Sequence, residues 1–365
     1  MGFLMKKILF LPLLFLFLSG CYSSIKIELR ETPAEEPVNR DIDSLRLTGE
    51  LETYGGLFHN SLVPYRGWLF VAEGSGRIHA FDMATLEDAG YASVRNSTVA
   101  APPVFVGNKM YYLFRKKLNP ALQLAKYDIT LGKEELTREL GIAGDGSLFG
   151  AAGGLIVIAD RSIHFIDTTG AVTSNMPLDA AVSSRITQSG ELIIAGLTDG
   201  RILELNTSTK TPNFFMTGKS EPVTSFLPVG DNYIVCLYGG GMELVGRGGY
   251  IFWQLQTGRI IAEPVIFGGS VYTGDLKGIL YKINLKTGDL KNKFETGGLI
   301  SEKVTVAGQK IILPVVDGRL ILIDPFAMKA IQTIETGGRV KMPVAAIGNR
   351  LFAGCDNNRI LLFEF

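Results

Sequence analysis

The side chains in this 365-residue chain that could do chemistry are few and far apart. There are three histidines, His59, His79 and His164, and three cysteines, Cys21, Cys236 and Cys355. A zinc centre needs four such donors close together, and a calcium site needs several carboxylates and carbonyls converging on one point. Neither pattern is present. His79 and His164 occupy similar places in two copies of a repeat, so duplication accounts for them better than a shared metal. The glycine-rich stretch Gly239–Gly249 lacks the Lys-Ser/Thr signature and the helix of a phosphate cradle, and reads as tight hairpins. Asp199 and Asp317 each precede a glycine, and Asp275 and Asp356 mark the same corner. An Asp-Gly turn supplies the positive φ that a hairpin needs, which explains these aspartates without a ring of ligands.

Cys21 is different, because its setting is specific. Lys6 and Lys7 precede the apolar run Ile8–Leu18, which at about 11 residues is far short of the ~20 of a spanning helix and has the form of a secretory signal. The run ends in Leu18-Ser19-Gly20-Cys21, which resembles a bacterial lipobox. That resemblance implies cleavage before Cys21, a fatty-acyl anchor such as palmitate on it, and, with Tyr22 rather than aspartate next, delivery to the outer membrane. The expected organisation is a signal peptide over 1–20, a polar lipidated tether over 21–44, and a folded region over 45–365. Cys236 and Cys355 sit in apolar strands of different repeats. A disulfide needs Cα atoms within roughly 7 Å, so both read as buried free thiols.

The elements that position these residues form a repeat. Gly200, Gly240, Gly278, Gly318 and Asn358 recur about every 40 residues, a period that marks stacked units. Each unit reads as four short strands, and the third is easiest to follow: Arg77–Asp82, Leu124–Asp128, Ser162–Asp167, Arg201–Asn206, Met242–Gly246, Ile279–Asn284, Arg319–Asp324 and Arg359–Phe365. These strands are apolar almost throughout rather than alternating, so both faces must be covered. The arrangement that covers them is an all-β, eight-bladed β-propeller of four-stranded antiparallel blades. The last unit lacks a fourth strand. The N-terminal segment Leu45–Gly56 matches the missing one and is expected to pair with Arg359–Phe365, closing the ring and removing two open edges. The 36 basic and 36 acidic residues balance, which gives no general attraction to nucleic acid.

This architecture suggests two binding regions. Glu221, Glu263 and Glu302 each precede the first, innermost strand of a unit and would rim one mouth of the central channel. Arg185, and Arg339 with Lys341, hold the corresponding places elsewhere. An acidic arc beside basic ones would orient a polar partner or peptide, although solvated loop charge copied with the repeat explains the same pattern. The second region is the insertion Arg115–Gln123, expected as an exposed loop on the same face. Its basic residues Arg115, Lys116 and Lys117 are candidates for docking.

The pattern G-x-x-h-h-h-x-x-x-D-G-x-h-h-x-h-(D/N)-x-x-T-G, whose strand-and-turn grammar Glu263–Gly298 shows in full, resembles the pyrroloquinoline-quinone-like propeller repeat. With the lipobox, the whole is similar to the BamB family of propeller lipoproteins, which serve the machinery that folds outer-membrane barrels. The resemblance implies a non-enzymatic scaffold without a cofactor, anchored on the periplasmic side of the outer membrane, with a barrel-assembly protein as partner and strands added at sheet edges as a mode of binding. It carries over no contact residue. The sequence departs from the repeat where Phe294 and Ile334 replace the usual fourth-strand tryptophan. The absence of WD dipeptides separates the repeat from the WD40 type. A quinone-linked or sugar-linked enzyme, or a surface ligand-binding lipoprotein, stand as alternatives. The first of these would be expected in a longer chain, often with adjacent cysteines.

Overall fold

The structure is a computed structural model that describes residues 24–30, 41–340 and 342–364, with the backbone alone for 58–61. The described residues contain strands and turns and no helix. They form eight antiparallel sheets in a ring, seven of four strands and one of five. Each third strand lies where the repeat placed it. Blade two is the irregular one: two short strands, Ser97–Val99 and Val104–Val106, both pair with Lys109–Lys116.

The repeat period has a backbone cause. Gly200, Gly240, Gly278, Gly318 and Asn358 all take positive φ, at 88°, 86°, 83°, 94° and 63°. Each turns the chain from the second strand of its blade into the third. The threonine that ends the fourth strand ties this corner down. Thr296 Oγ1 donates to Gly278 O at 3.0 Å, and Thr336 Oγ1 to Gly318 O at 2.7 Å. A Cβ at Gly200 would stand 2.2 Å from Lys219 O, besides taking an unfavourable φ. Gly200→Ala is therefore expected to cost about 2 kcal/mol, read as a lower midpoint in urea unfolding.

The unbroken apolar third strands are explained by the faces they present. In Arg319–Asp324, Leu320 and Leu322 pack with Leu351, Leu361 and Phe363 of blade eight. Ile321 and Ile323 of the same strand pack with Tyr272 and Leu280 of blade six. Successive residues point to opposite sides of the sheet, and each side meets another blade rather than water.

Ring closure is as expected from the ends of the chain. Arg46–Glu52 pairs antiparallel with Arg359–Glu364, with Leu51 opposite Ile360 and Glu52 opposite Arg359. Glu50 and Arg359 form an ion pair across the seam. Thr53 donates its backbone N–H to Asn358 O at 2.8 Å, and its Oγ1 to the same oxygen at 2.9 Å. Blade eight thus takes three strands from the end of the chain and its outermost strand from the beginning.

The segment expected to be a free tether is partly docked. Ser24–Arg30 lies in the groove between blades one and two, with Ile25 and Ile27 buried against Trp68, Phe70 and Tyr127. Ile27 N donates to Ile129 O at 2.9 Å, Tyr127 OH to Ile25 O at 3.1 Å, and Trp68 Nε1 to Glu28 O at 3.0 Å. Arg30 pairs with Asp82 at 2.6 Å and lies over the Trp68 ring. A second part, Asp41–Leu45, docks between blades seven and eight, where Ile42 and Leu45 are buried and Gln332 exchanges two hydrogen bonds with Leu45. Both parts cross the face that carries the first-to-second and third-to-fourth turns. We call this the turn face, and the opposite face, where each first strand begins, the entry face.

The Arg30 guanidinium, followed by the backbone N–H groups of Ala84 and Thr85, holds the Asp82 carboxyl below its usual range. A depressed carboxylate stabilises the folded form fully above the ordinary value of about 4, and that contribution is lost as pH falls through the depressed one. Acidification below about pH 4 should therefore loosen the Arg30 end of the strap, read as a change in Trp68 fluorescence, and Asp82→Asn should remove that part of the pH dependence.

Candidate functional site

The first strands of the blades line a central channel, and the candidate charges stand at its entry-face mouth. A cavity of about 700 Å³ is lined by Thr187 and Gln188 of blade four, Glu263 and Val265 of blade six, Lys303 and Thr305 of blade seven, and Val344 of blade eight. The charges of the mouth pair with one another rather than standing as an acidic arc beside basic ones. Arg185, ahead of blade four, reaches Glu302, ahead of blade seven, at 2.9 Å. Arg185 and Glu302 thus bridge three blade positions of an eight-blade ring and act as a strut across the opening. Glu263 pairs with Lys303 at 3.3 Å, and Arg339 with Asp356 at 2.8 Å. Glu221 accepts the N–H of Gly239 at 2.6 Å and lies 3.6 Å from Lys219. Lys341 lies outside the described residues, as does Cys21. Of the partners missed in the sequence, Lys219 lies two residues from Glu221, whereas Lys303 comes from the blade after Glu263 and Asp356 from a turn 17 residues beyond Arg339.

The expected loop at Arg115–Gln123 is instead an extended hairpin. Lys109–Lys116 and Asn119–Asp128 pair as far as Lys116 opposite Asn119, leaving only Lys117 and Leu118 in the turn. Arg115 Nη2 donates to Gly144 O at 2.6 Å and to Asp145 at 2.5 Å, tying the hairpin to the connection into blade three. Lys116 and Lys117 are exposed, and Leu118 is fully so at 100%. The hairpin rises from the entry face, like the channel mouth, and presents two exposed cations beside an apolar tip.

Other polar groups make their contacts within the fold. Asp275 is wholly buried; it accepts the N–H groups of Lys277 and Ile279 at 2.9 Å and the Tyr281 hydroxyl at 2.8 Å. Buried His79 stands 3.2 Å from Asp88 and 3.4 Å from buried Glu73, while His164 contacts Ser162 at 2.8 Å. The side chain of His59 lies outside the description. Glu204 and Tyr233 are buried and hydrogen-bonded to each other, and Arg247 pairs with Glu204 at 2.9 Å. Cys236 and Cys355 are buried free thiols, and burial pushes the Cys355 thiol up to about 11. Among the described residues no three His, Cys, Asp or Glu side chains are grouped to hold a metal ion. One tryptophan docks between blades: Trp253 of the outermost strand of blade five donates Nε1 to Leu285 O at 3.0 Å and covers Gly288 of blade six. By register the places of Phe294 and Ile334 in the next two blades match Leu255 of blade five, and Asn292 and Gln332 stand where Trp253 does.

No family model matches the chain, and no curated protein does. Solved structures match its fold. The crystal structure of BamB from Moraxella catarrhalis is similar with a TM-score of 0.73 at 16% identity, covering 88% of this chain and 98% of that one. A computationally designed protein, Ika8, is similar with a TM-score of 0.66 at 13% identity, covering 86% of this chain and 100% of the design. At such identities the likeness is one of fold, and it agrees with the eight-bladed ring read from the repeat.

Proposed function

We propose that this chain is a non-enzymatic propeller lipoprotein, anchored through Cys21 to the outer membrane on its periplasmic side, that acts as a scaffold for protein partners in outer-membrane barrel assembly. The observation that carries this reading is the entry face. It is a broad, stiff surface whose channel mouth is braced by the Arg185–Glu302 strut and beside which a cationic hairpin projects. A rigid ring that offers loops and hairpins suits docking, since function sits in sites grafted on a fold. The fold-level likeness to BamB and the lipobox supply the membrane and assembly context. Partner binding is assigned to Lys116 and Lys117 first, and to the Glu263–Lys303 and Arg339–Asp356 pairs of the rim second.

Crosslinking in intact membranes followed by mass spectrometry tests the reading. Recovery of a barrel-assembly protein supports it. Reversing both hairpin charges, with Lys116→Glu and Lys117→Glu, should lower that recovery roughly tenfold, the equivalent of about 1.4 kcal/mol. Glu263→Lys, which sets two cations side by side at the mouth, should lower it less. Unchanged recovery in both variants removes the entry face from the reading. A quinone bound to the purified protein, with turnover, would replace the scaffold by an enzyme.

A further inference from the structure

We infer that the turn face of blades one and two lies on the lipid surface, so that the channel mouth and the cationic hairpin are turned away from the membrane. This deepens the anchored-scaffold reading and rests on its acylated Cys21. The argument is one of chain length. Only Tyr22 and Ser23 separate Cys21 from Ser24, the first residue of the docked strap. Each residue spans at most about 3.6 Å, so the acylated cysteine stands within about 11 Å of the strap. A folded ring of this length has a radius of gyration near 20 Å, well beyond that leash. Because Ile25 and Ile27 fix the strap in the groove, the ring cannot turn over on its anchor.

The surface around the strap suits that placement. Leu131, beside the strap on the third-to-fourth turn of blade two, is 66% exposed, and Val106, which ends the strand Val104–Val106 of the same blade just before its turn, is 52% exposed. Lys26, Arg66 and Lys133 are exposed around them, together with the strap carboxylate Glu28. Apolar side chains among cations match the boundary between acyl chains and anionic headgroups. The hairpin tip at Lys117 and Leu118 stands on the opposite face.

The test uses the full acylated protein in vesicles of phosphatidylethanolamine and phosphatidylglycerol that carry a spin-labelled headgroup. The native Cys236 and Cys355 are buried, so a thiol-reactive fluorophore reports on an introduced cysteine alone. Leu131→Cys should be quenched several-fold more strongly than Lys117→Cys. Equal quenching, or the reverse order, overturns the orientation. Inserting about twenty Gly and Ser residues after Ser23 gives a leash of roughly 25 Å without touching the fold, and should abolish the difference. A difference that survives the long leash overturns the leash as its cause. Mass analysis of Cys21 separates the two levels. An unmodified cysteine overturns the anchored reading and this orientation with it, whereas an acylated chain with equal quenching overturns the orientation alone.

Discussion

Removing the last six residues should unfold the whole ring rather than fray one blade. Ile360, Leu361, Leu362 and Phe363 are all essentially buried, and they face both ways: Ile360 and Leu362 pack with Leu69 and Val71 of blade one, Leu361 and Phe363 with Leu320 and Leu322 of blade seven. Their strand is also the sole hydrogen-bonded partner of Arg46–Glu52, which would be left without a sheet. The truncation therefore opens a gap between blades one and seven and exposes four sheet faces or edges at once. The expected result is loss of the cooperative thermal transition in circular dichroism, with rapid proteolysis. A milder form keeps the comparison quantitative. Phe363→Ala leaves a cavity at a fully buried site and should cost about 3–5 kcal/mol while the ring still forms. A truncated chain that melts like the intact one would show that the seam contributes nothing to the ring.

The second large effect is expected at the strap. Ile27→Asp sets a carboxylate among the buried side chains of Trp68, Phe70 and Tyr127, and a buried charge is avoided by undocking. The loss is bounded by what docking gains, about 2–3 kcal/mol for each fully buried isoleucine. The response should be local: the amide of Ile27 loses protection from hydrogen exchange, and trypsin gains access to Arg30. Trp68 loses its Glu28 acceptor, and because Trp253 is the only other tryptophan, the fluorescence change can be assigned to Trp68. The melting of the ring itself should move much less than for Phe363→Ala. A global loss equal to that of Phe363→Ala would mean that the strap belongs to the core.

The blades were legible in the sequence because their signals are local and recur. A positive-φ corner needs glycine or asparagine wherever it occurs, so Gly200, Gly278, Gly318 and Asn358 mark the period. An apolar run such as Arg319–Asp324 likewise declares two covered faces. The strap escapes such a reading because three alternating apolar residues, Ile25, Ile27 and Leu29, fall below the length of a recognisable strand and sit in a polar stretch. The hairpin reads as a loop because its turn, Lys117-Leu118, has none of the glycine or asparagine that usually marks such corners. The Arg185–Glu302 strut joins residues 117 apart in sequence, and only the curvature of the ring brings them together. Single side chains at the mouth could be placed from the repeat, but their pairing could not.

The seam has a consequence for the order in which the ring assembles. Glu50 and Arg359 are 309 residues apart, so the earliest strand of the ring to emerge is the last to find its partner. Every blade before the eighth can stack as it appears, yet the circle stays an open horseshoe with two naked ends until the final residues arrive. Through that interval the chain is most exposed to wrong pairing with other unfinished chains, and the wait for its own tail is what slow delivery of the C-terminus would lengthen.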